Sequence, residues 1–439
     1  MTSTRRSFLG ASAALASGLG LGCRAAAQRQ ADAAKAPRDK MRLMVVGVAN
    51  RAAANLNGVA GEEVVVLCDV DRRYLDKAAE RFPNALKVAD YREILGDPAK
   101  IKELRLDGVV VSTPDHTHYL PSMLALQNGL HVYCEKPLTQ SVAQARRLLE
   151  AAQKHHCTTQ MGIQIHANEN FRRVVEAVRA GAVGTVREVV VFVNGTNWSA
   201  TELPKSEPTP DFLSWHEWLG PTAEREFSPG YHPASWRRYW AFGGGTTADM
   251  ACHYMDLAFW ALELDAPTSL QADGPEPDPE CAPAAMRCEY AFPARGARPA
   301  LTLHWHAAGD RPEEKLKARG LEKWTNGVLY IGDQGWLISN YDKHELGRDE
   351  GAPAWTAPDK SIPPSPGHYK EWIDCAAAGT QPTCSFEYAV PLTETVLLAN
   401  AAYRGARGKR ITWDRQAMKT NSDAVNKLLD ITPRKGFDA

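Results

Sequence analysis

Charge of one sign is what this 439-residue chain most plainly lacks: 51 Lys and Arg stand against 52 Asp and Glu, a formal net charge of −1. Nothing in that balance recruits nucleic acid or an acidic surface, so a neutral small molecule is the expected partner. No apolar run is long enough for a secure membrane span. No repeat period and no sustained heptad is present, which excludes solenoids and coiled coils. The nine cysteines are scattered, and Cys68, Cys134 and Cys252 sit inside apolar runs. That spacing carries no zinc pattern and argues against a disulfide-stapled scaffold, although an oxidising compartment would permit Cys281 with Cys288 or Cys375 with Cys384. The length exceeds one compact core and implies two domains.

The amino terminus is a targeting segment. Thr4-Arg5-Arg6-Ser7-Phe8-Leu9, followed by small apolar residues to Leu21, resembles a twin-arginine export signal and implies a periplasmic protein. Its end is open to two readings. Leu19-Gly20-Leu21-Gly22-Cys23 is an imperfect lipoprotein box that would tether the protein to a membrane through Cys23, whereas Ala25-Ala26-Ala27 would serve ordinary signal peptidase. Residues 24–40 have no apolar period and read as a flexible tether. Residues 1–40 are therefore expected to be signal and tether, with the folded chain beginning at Met41.

Leu43 to Val48 is an apolar strand, and Gly47-Val48-Ala49-Asn50-Arg51-Ala52 stands where a dinucleotide fold places its glycine turn. Only the first glycine of G-x-G-x-x-G is there. Ala49 is still small enough for a pyrophosphate to approach the backbone, with Asn50 beside it and Arg51 or Asn55 offering side-chain contacts. A second apolar run, Val64 to Cys68, ends in Asp69 about twenty residues after the turn, the position from which a carboxylate accepts hydrogen bonds from a ribose 2'-hydroxyl. Asp69 favours NAD; Arg72 and Arg73, which follow closely, would favour the 2'-phosphate of NADP. Asp69 could instead cap the helix that begins near Arg72.

The stretch LDGVVVSTPDHTHYLPSMLALQNGLHVYCEKPL, Leu106 to Leu138, reads as two buried strands around a helix. In an open α/β sheet such strand ends face the ligand crevice, so the Pro114-Asp115-His116 and Glu135-Lys136-Pro137 turns open onto one site. The alternation of strands and helices supports a doubly wound sheet. This stretch resembles the cofactor domain of the Gfo/Idh/MocA oxidoreductases, relatives of glucose-fructose oxidoreductase and inositol dehydrogenase, whose signature is the Glu-Lys-Pro turn. The resemblance extends over nearly all of Met41 to Trp413. It implies an α/β chain with a Rossmann-type dinucleotide domain (residues 41–162), then an α+β domain with an open, mostly antiparallel sheet (residues 163–415) that binds substrate and often forms an oligomer interface. Late helices return to the first domain, and a peripheral tail follows (residues 416–439). A homo-oligomer is therefore expected. It further implies Lys136 as the active-site lysine, with a cis bond before Pro137 conceivable, and Ser112, Thr113, Pro114, His116 and Glu135 beside Lys136 at the cofactor.

In the second half, Phe242 to His253 is the strongest constellation. A helix beginning near Thr246 puts Asp249 and His253 on one face, one turn apart, where the acid could orient and charge the ring. The family places an Asp and a His at this spacing opposite its lysine. His253 is accordingly the expected general acid/base, Asp249 the orienting and sugar-contacting group, and Lys136 the assistant at the oxidised carbon. His166, at the start of the segment after the crossover, is a further substrate candidate. The long segment from Gly195 to Tyr239 is rich in Trp, with Tyr231, His232, Trp236 and Arg237 among its residues. Such aromatic faces with Arg and His suit a sugar ring; the alternative is core filling beneath a loop. His304 and His306 share a strand face but have no evident third ligand, so wall or interface roles are preferred to metal.

The expected protein is an exported enzyme that holds NAD tightly, because free NAD is scarce outside the cytoplasm, and oxidises a sugar, glycoside or polyol hydroxyl. Two alternatives remain open here. One is a redox-neutral NAD-dependent glycosidase that oxidises transiently, eliminates, adds water and re-reduces; the other is a non-catalytic carbohydrate-binding protein.

Overall fold

The computed structural model describes residues 40–438. The export segment and Cys23 fall outside the described residues. The apolar runs of the first part form β1 (Arg42–Val46), β2 (Glu63–Cys68), β3 (Leu86–Val88), β4 (Gly108–Val111), β5 (His131–Glu135) and β6 (Thr159–Gly162). All pair in parallel, in the order β3-β2-β1-β4-β5-β6. Leu43, Met44 and Val45 on β1 and Val109 to Val111 on β4 have no exposed surface, as strands covered on both faces require. The order reverses between β1 and β4, and ligands bind outside the strand ends at such a switch point.

Helices α1 (Arg51–Gly58), α2 (Arg72–Ala79), α3 (Tyr119–Gln127) and α4 (Val142–Lys154) connect these strands. The carboxylate that caps α2 is that of Asp71, which accepts from the Arg73 amide, so Asp69 is not the cap. Pro98 opens a short helix, Pro98–Leu104, capped by Asp97. A first helical residue needs no amide partner, so proline fits there.

The second sheet contains β7 (Val186–Val193), β8 (Ser269–Asp273), β9 (Ala285–Phe292), β10 (Leu301–Ala308), β11 (Asn326–Gly332), β12 (Gly335–Ser339), β13 (His344–Arg348), β14 (Arg410–Asp414) and β15 (Lys419–Thr420). Their order is β13-β12-β11-β7-β10-β9-β8-β14-β15, and only β7 and β10 run parallel. Residues 344–348 make the outermost strand; their polar sequence suits an edge that pairs on one side. His304 and His306 do share a face, with His304 Nε2 2.9 Å from Glu188 and His306 Nδ1 2.7 Å from Asp310.

Helices α5 (Glu169–Arg179), α6 (Gly245–Leu262) and α8 (Phe386–Ala406) lie between the two sheets, and α7 (His368–Ala378) packs on α1 of the first part. Helix α8, which carries Pro391 inside it, lies between α4, α6 and β8. One apolar core therefore runs through both sheets. The tail is not peripheral as expected, because Val425, Leu429 and Phe437 are buried. The eight cysteines among the described residues are all free, including Cys281, Cys288, Cys375 and Cys384.

Candidate active site

The crevice begins where β1 ends. Gly47 has φ +86°, donates to the Cys68 carbonyl at 2.8 Å, and approaches β4 so closely that a Cβ on it would lie 2.7 Å from the Ser112 carbonyl oxygen. Glycine is thus required at this one position of the turn. Ala49, Asn50 and Arg51 border the crevice at the amino end of α1. Asn55, weighed as a phosphate contact, is committed elsewhere. It is fully buried, donates to Ser112 Oγ and Glu135 Oε1 (2.8 Å each), and accepts from the Tyr369 hydroxyl at 2.7 Å. Glu135 Oε1 accepts also from Gln164 at 2.8 Å and Arg51 at 3.4 Å, so this carboxylate braces the crevice floor.

Asp69 accepts from the Val48 amide with Oδ2 and from the Asp71 amide with Oδ1, both at 3.0 Å. It borders the crevice, and burial raises its carboxyl to about 6. Arg73 is tied to Asp71 at 2.7 Å and lies 3.5 Å over the Phe212 ring, and neither it nor Arg72 lines the crevice. Two buried hydroxyls on the crevice wall, Thr113 Oγ1 and Tyr91 Oη, have no hydrogen-bond partner. The glycine cradle, the carboxylate at the end of β2 and these orphaned hydroxyls fit a dinucleotide.

At the other end stands the lysine. The Lys136–Pro137 bond is cis, and Lys136 Nζ donates at 2.6 Å both to Asp249 Oδ1 and to the Asp249 backbone carbonyl. Asp249 also accepts from Trp198 Nε1 at 2.7 Å and Arg237 Nε at 3.2 Å. Burial opposes its charge, yet Lys136 and Arg237 hold its carboxyl well below the usual carboxylate range. His253 lies on the same face of α6 and lines the crevice. The expected acid–imidazole bond is not made: Asp249 is taken by the lysine, the arginine and the indole, while His253 Nδ1 is buried without a partner. Burial, then the Lys136 charge, push the His253 ring down to about 3, so it is neutral at physiological pH.

Other expected residues divide sharply. His232, Trp236 and Arg237 line the crevice, but His232 Nε2 pairs with Asp71 at 3.1 Å and so stands at the β2 end, far along the crevice from Lys136. His116 does not line it. Its ring is buried against Trp218 and Phe242, Nε2 meets the Trp218 carbonyl at 2.9 Å, and burial lowers its pKa to about 4. His166 is likewise withdrawn, with Nδ1 3.0 Å from Asp256 and its ring stacked 4.1 Å from that of Trp260. Tyr231 belongs to a separate aromatic core with Trp218, Trp236 and Phe242. Core filling is thus the role of most of the Trp-rich segment; aromatic content alone could not separate a sugar platform from a second small core. Trp198 bonds Asp249, and Trp218 and Trp236, although packed in that core, also border the crevice.

Asp115 went unassigned in the sequence. It is buried and borders both this crevice and a second cavity reaching Asn400 and Arg404. Burial raises its carboxyl to about 7 against the nearby charges of Arg237 and Lys136. Its place directly after Pro114 in a strand-end turn was the available signal. His118 joins the two turns: Nδ1 meets the Pro137 carbonyl and Nε2 the Thr113 carbonyl, both at 2.8 Å.

Known proteins of the same construction exist. Residues 41–163 match the model described as oxidoreductase family, NAD-binding Rossmann fold, and residues 168–301 match the oxidoreductase family C-terminal alpha/beta domain. Inositol 2-dehydrogenase of Salmonella typhimurium is 25% identical over 34% of this chain and 42% of its own length, so the match spans less than half of that relative. Among solved structures, the WlbA dehydrogenase from Bordetella pertussis, in complex with NADH and UDP-GlcNAcA, superposes with a TM-score of 0.62 at 18% identity, covering 86% of this chain and 99% of its own. Aldose-aldose oxidoreductase from Caulobacter crescentus, complexed with glycerol, gives 0.57 at 17% identity, over 85% and 99%. With two consecutive family matches that together take in more than half of its residues, the chain belongs to the Gfo/Idh/MocA oxidoreductase family.

Proposed function

We propose that the protein oxidises a hydroxyl of a sugar, glycoside or polyol with tightly held NAD. The observation that carries this is the convergence of Lys136, Asp249 and His253 at one end of a crevice whose other end offers Asp69 to a ribose. The relative named for inositol and the neighbour solved with NADH support it. NAD is preferred to NADP because Asp69 would oppose a 2'-phosphate and Arg73 is occupied by Asp71. Gly47, Ala49, Asn50 and Arg51 would hold the pyrophosphate, with Ser112, Thr113, Pro114, Glu135 and Lys136 bordering the nicotinamide half.

The nicotinamide ring, when bound, supplies the hydride acceptor. The rest is placement and proton handling by the chain. The Lys136 ammonium has three donors and spends two on Asp249, leaving one for the substrate hydroxyl oxygen. Asp249, kept ionised, holds that ammonium in place. Neutral His253 can accept the hydroxyl proton, and its unpartnered nitrogen makes it the group whose bonding substrate would complete. Asp115, close to neutrality in its titration, can pass a proton on toward the second cavity.

Residues 4–21 support export by the twin-arginine route to the periplasm, with the folded protein carrying its cofactor, and Cys23 as the residue whose lipidation would tether it; a homo-oligomer is the expected assembly. The test is incubation with a panel of sugars, polyols and glycosides while cofactor reduction and glycoside cleavage are followed together. Stoichiometric NADH without cleavage is the expected result; cleavage without net NADH would replace this reading by redox-neutral hydrolysis.

A further inference from the structure

The last residues of the chain return to the crevice. Past α8 the tail is anchored on α4, where the Ala143 amide donates to the Leu429 carbonyl at 3.0 Å and Arg147 pairs with Asp430 at 2.8 Å. It then crosses the aromatic segment. The Arg434 amide donates to the Pro221 carbonyl at 2.9 Å, and its guanidinium to the carbonyls of His216 at 2.7 Å and Gly220. A turn closes with the Phe437 amide donating to the Arg434 carbonyl at 3.0 Å. Phe437 is 2% exposed and borders the crevice beside Asp90 and Tyr91, just past the end of β3. Arg92 fixes it there, donating to the Gly436 carbonyl at 2.7 Å with its guanidinium 4.0 Å from the Phe437 ring centre; that of Arg434 is 4.8 Å away.

The position of Phe437 along the crevice gives it a role. Asp69 follows β2, Lys136 follows β5, and β3 lies on the far side of β2. If a ribose is held at Asp69 and the pyrophosphate at α1, the base on that ribose extends toward β3. The Tyr91 hydroxyl, buried and without a partner, stands at this end. We propose that the carboxyl-terminal strap closes the adenine end of the crevice, with Phe437 as the aromatic wall that selects a purine and slows departure of the cofactor. The inference rests on the dinucleotide reading above. An apolar wall on a strap bonded to three separate segments removes the base from water, and release requires that strap to lift.

The test compares AMP, nicotinamide mononucleotide and NAD binding to the full-length protein, Phe437→Ala and Phe437→Trp by calorimetry, with NAD dissociation by stopped flow. An aromatic contact of this kind contributes ~1.5 kcal/mol, so Phe437→Ala should weaken AMP about tenfold and speed NAD release comparably. Nicotinamide mononucleotide binding should not change, and Phe437→Trp should restore AMP. Phe437→Leu, which refills the wall without a ring, replaces the alanine variant if that one does not fold. An AMP affinity within twofold of the parent, or equal losses for AMP and the mononucleotide, overturns the strap's role. A parent protein that binds neither NAD nor AMP overturns the dinucleotide reading itself, so the two failures are distinguishable.

Discussion

The Lys136–Asp249 pair sets the sharpest quantitative expectation. Both side chains are nearly enclosed, 8% and 14% exposed, and Nζ lies 2.6 Å from Oδ1. Replacing Asp249 by Asn keeps the shape and removes the charge, leaving the Lys136 ammonium with neutral carbonyl acceptors only and with Arg237 as an unneutralised neighbour. Stranding a buried charge in this way costs about 3–5 kcal/mol. Lys136→Met is milder, because Asp249 keeps Trp198 and Arg237; losing one charged hydrogen bond costs about 1.5–3 kcal/mol. The double variant removes both members of the pair but still leaves Arg237 without its carboxylate, so it should cost about 2–5 kcal/mol, less than the roughly 4.5–8 kcal/mol of the two single variants summed. The cycle should therefore return a coupling energy of about 2–3 kcal/mol from urea unfolding of the four proteins at neutral pH. Turnover should fall in both single variants and little further in the double, as for groups acting as a unit. A coupling below about 0.5 kcal/mol, within ordinary additivity, would refute the claim that Asp249 holds the lysine.

Three further outcomes are expected. Asp115 is raised from 3.8 to about 7, so the folded state binds the extra proton between those values, and its contribution is full below 3.8 and lost as pH rises through 7. Asp115→Asn should match the parent near pH 4 and exceed it at pH 8 by on the order of 2–4 kcal/mol in denaturant unfolding, and an unchanged pH profile would count against a buried, raised carboxyl. Gly47→Ala adds a Cβ at φ +86°, 2.7 Å from the Ser112 carbonyl, so beyond ~1–2 kcal/mol for the left-handed backbone it must push β4 away; calorimetry should show lower thermal stability and weaker NAD binding, and parent values for both would exclude the cradle. His253→Ala should lose turnover by at least about a hundredfold while NAD affinity stays unchanged, and full activity would remove it from proton transfer.

The first sheet was legible because parallel strands buried on both faces leave continuous apolar runs, and the Val109 to Val111 run is one such strand. The Lys136 turn and the Asp249-x-x-x-His253 spacing were also readable, since a helix converts a four-residue separation into a shared face. Partner choice was not readable. The same spacing suggested that Asp249 serves His253, but the arrival of Lys136 from the other sheet, with Trp198 and Arg237 from the long connection, decides otherwise. His116 and His166 have the chemistry of site residues and a place near it in the chain, yet each turns into a core because a carbonyl or a carboxylate from a distant segment waits there. The tail past Lys419 has too few apolar residues to announce burial; three of them, Val425, Leu429 and Phe437, are enough once α4, α8 and the crevice supply the other side.

By itself, then, the sequence determined the strand–helix alternation, the glycine at position 47, the acid ending β2 and the lysine and helix pair that identify the family, because these depend on local periodicity and on residues close in the chain. The tertiary structure alone decided which carboxylate holds the lysine, which imidazoles face the crevice and that the far end of the chain walls it. Those outcomes depend on contacts between residues ninety or more positions apart, and no local pattern encodes which of several capable side chains will be the one that meets its partner.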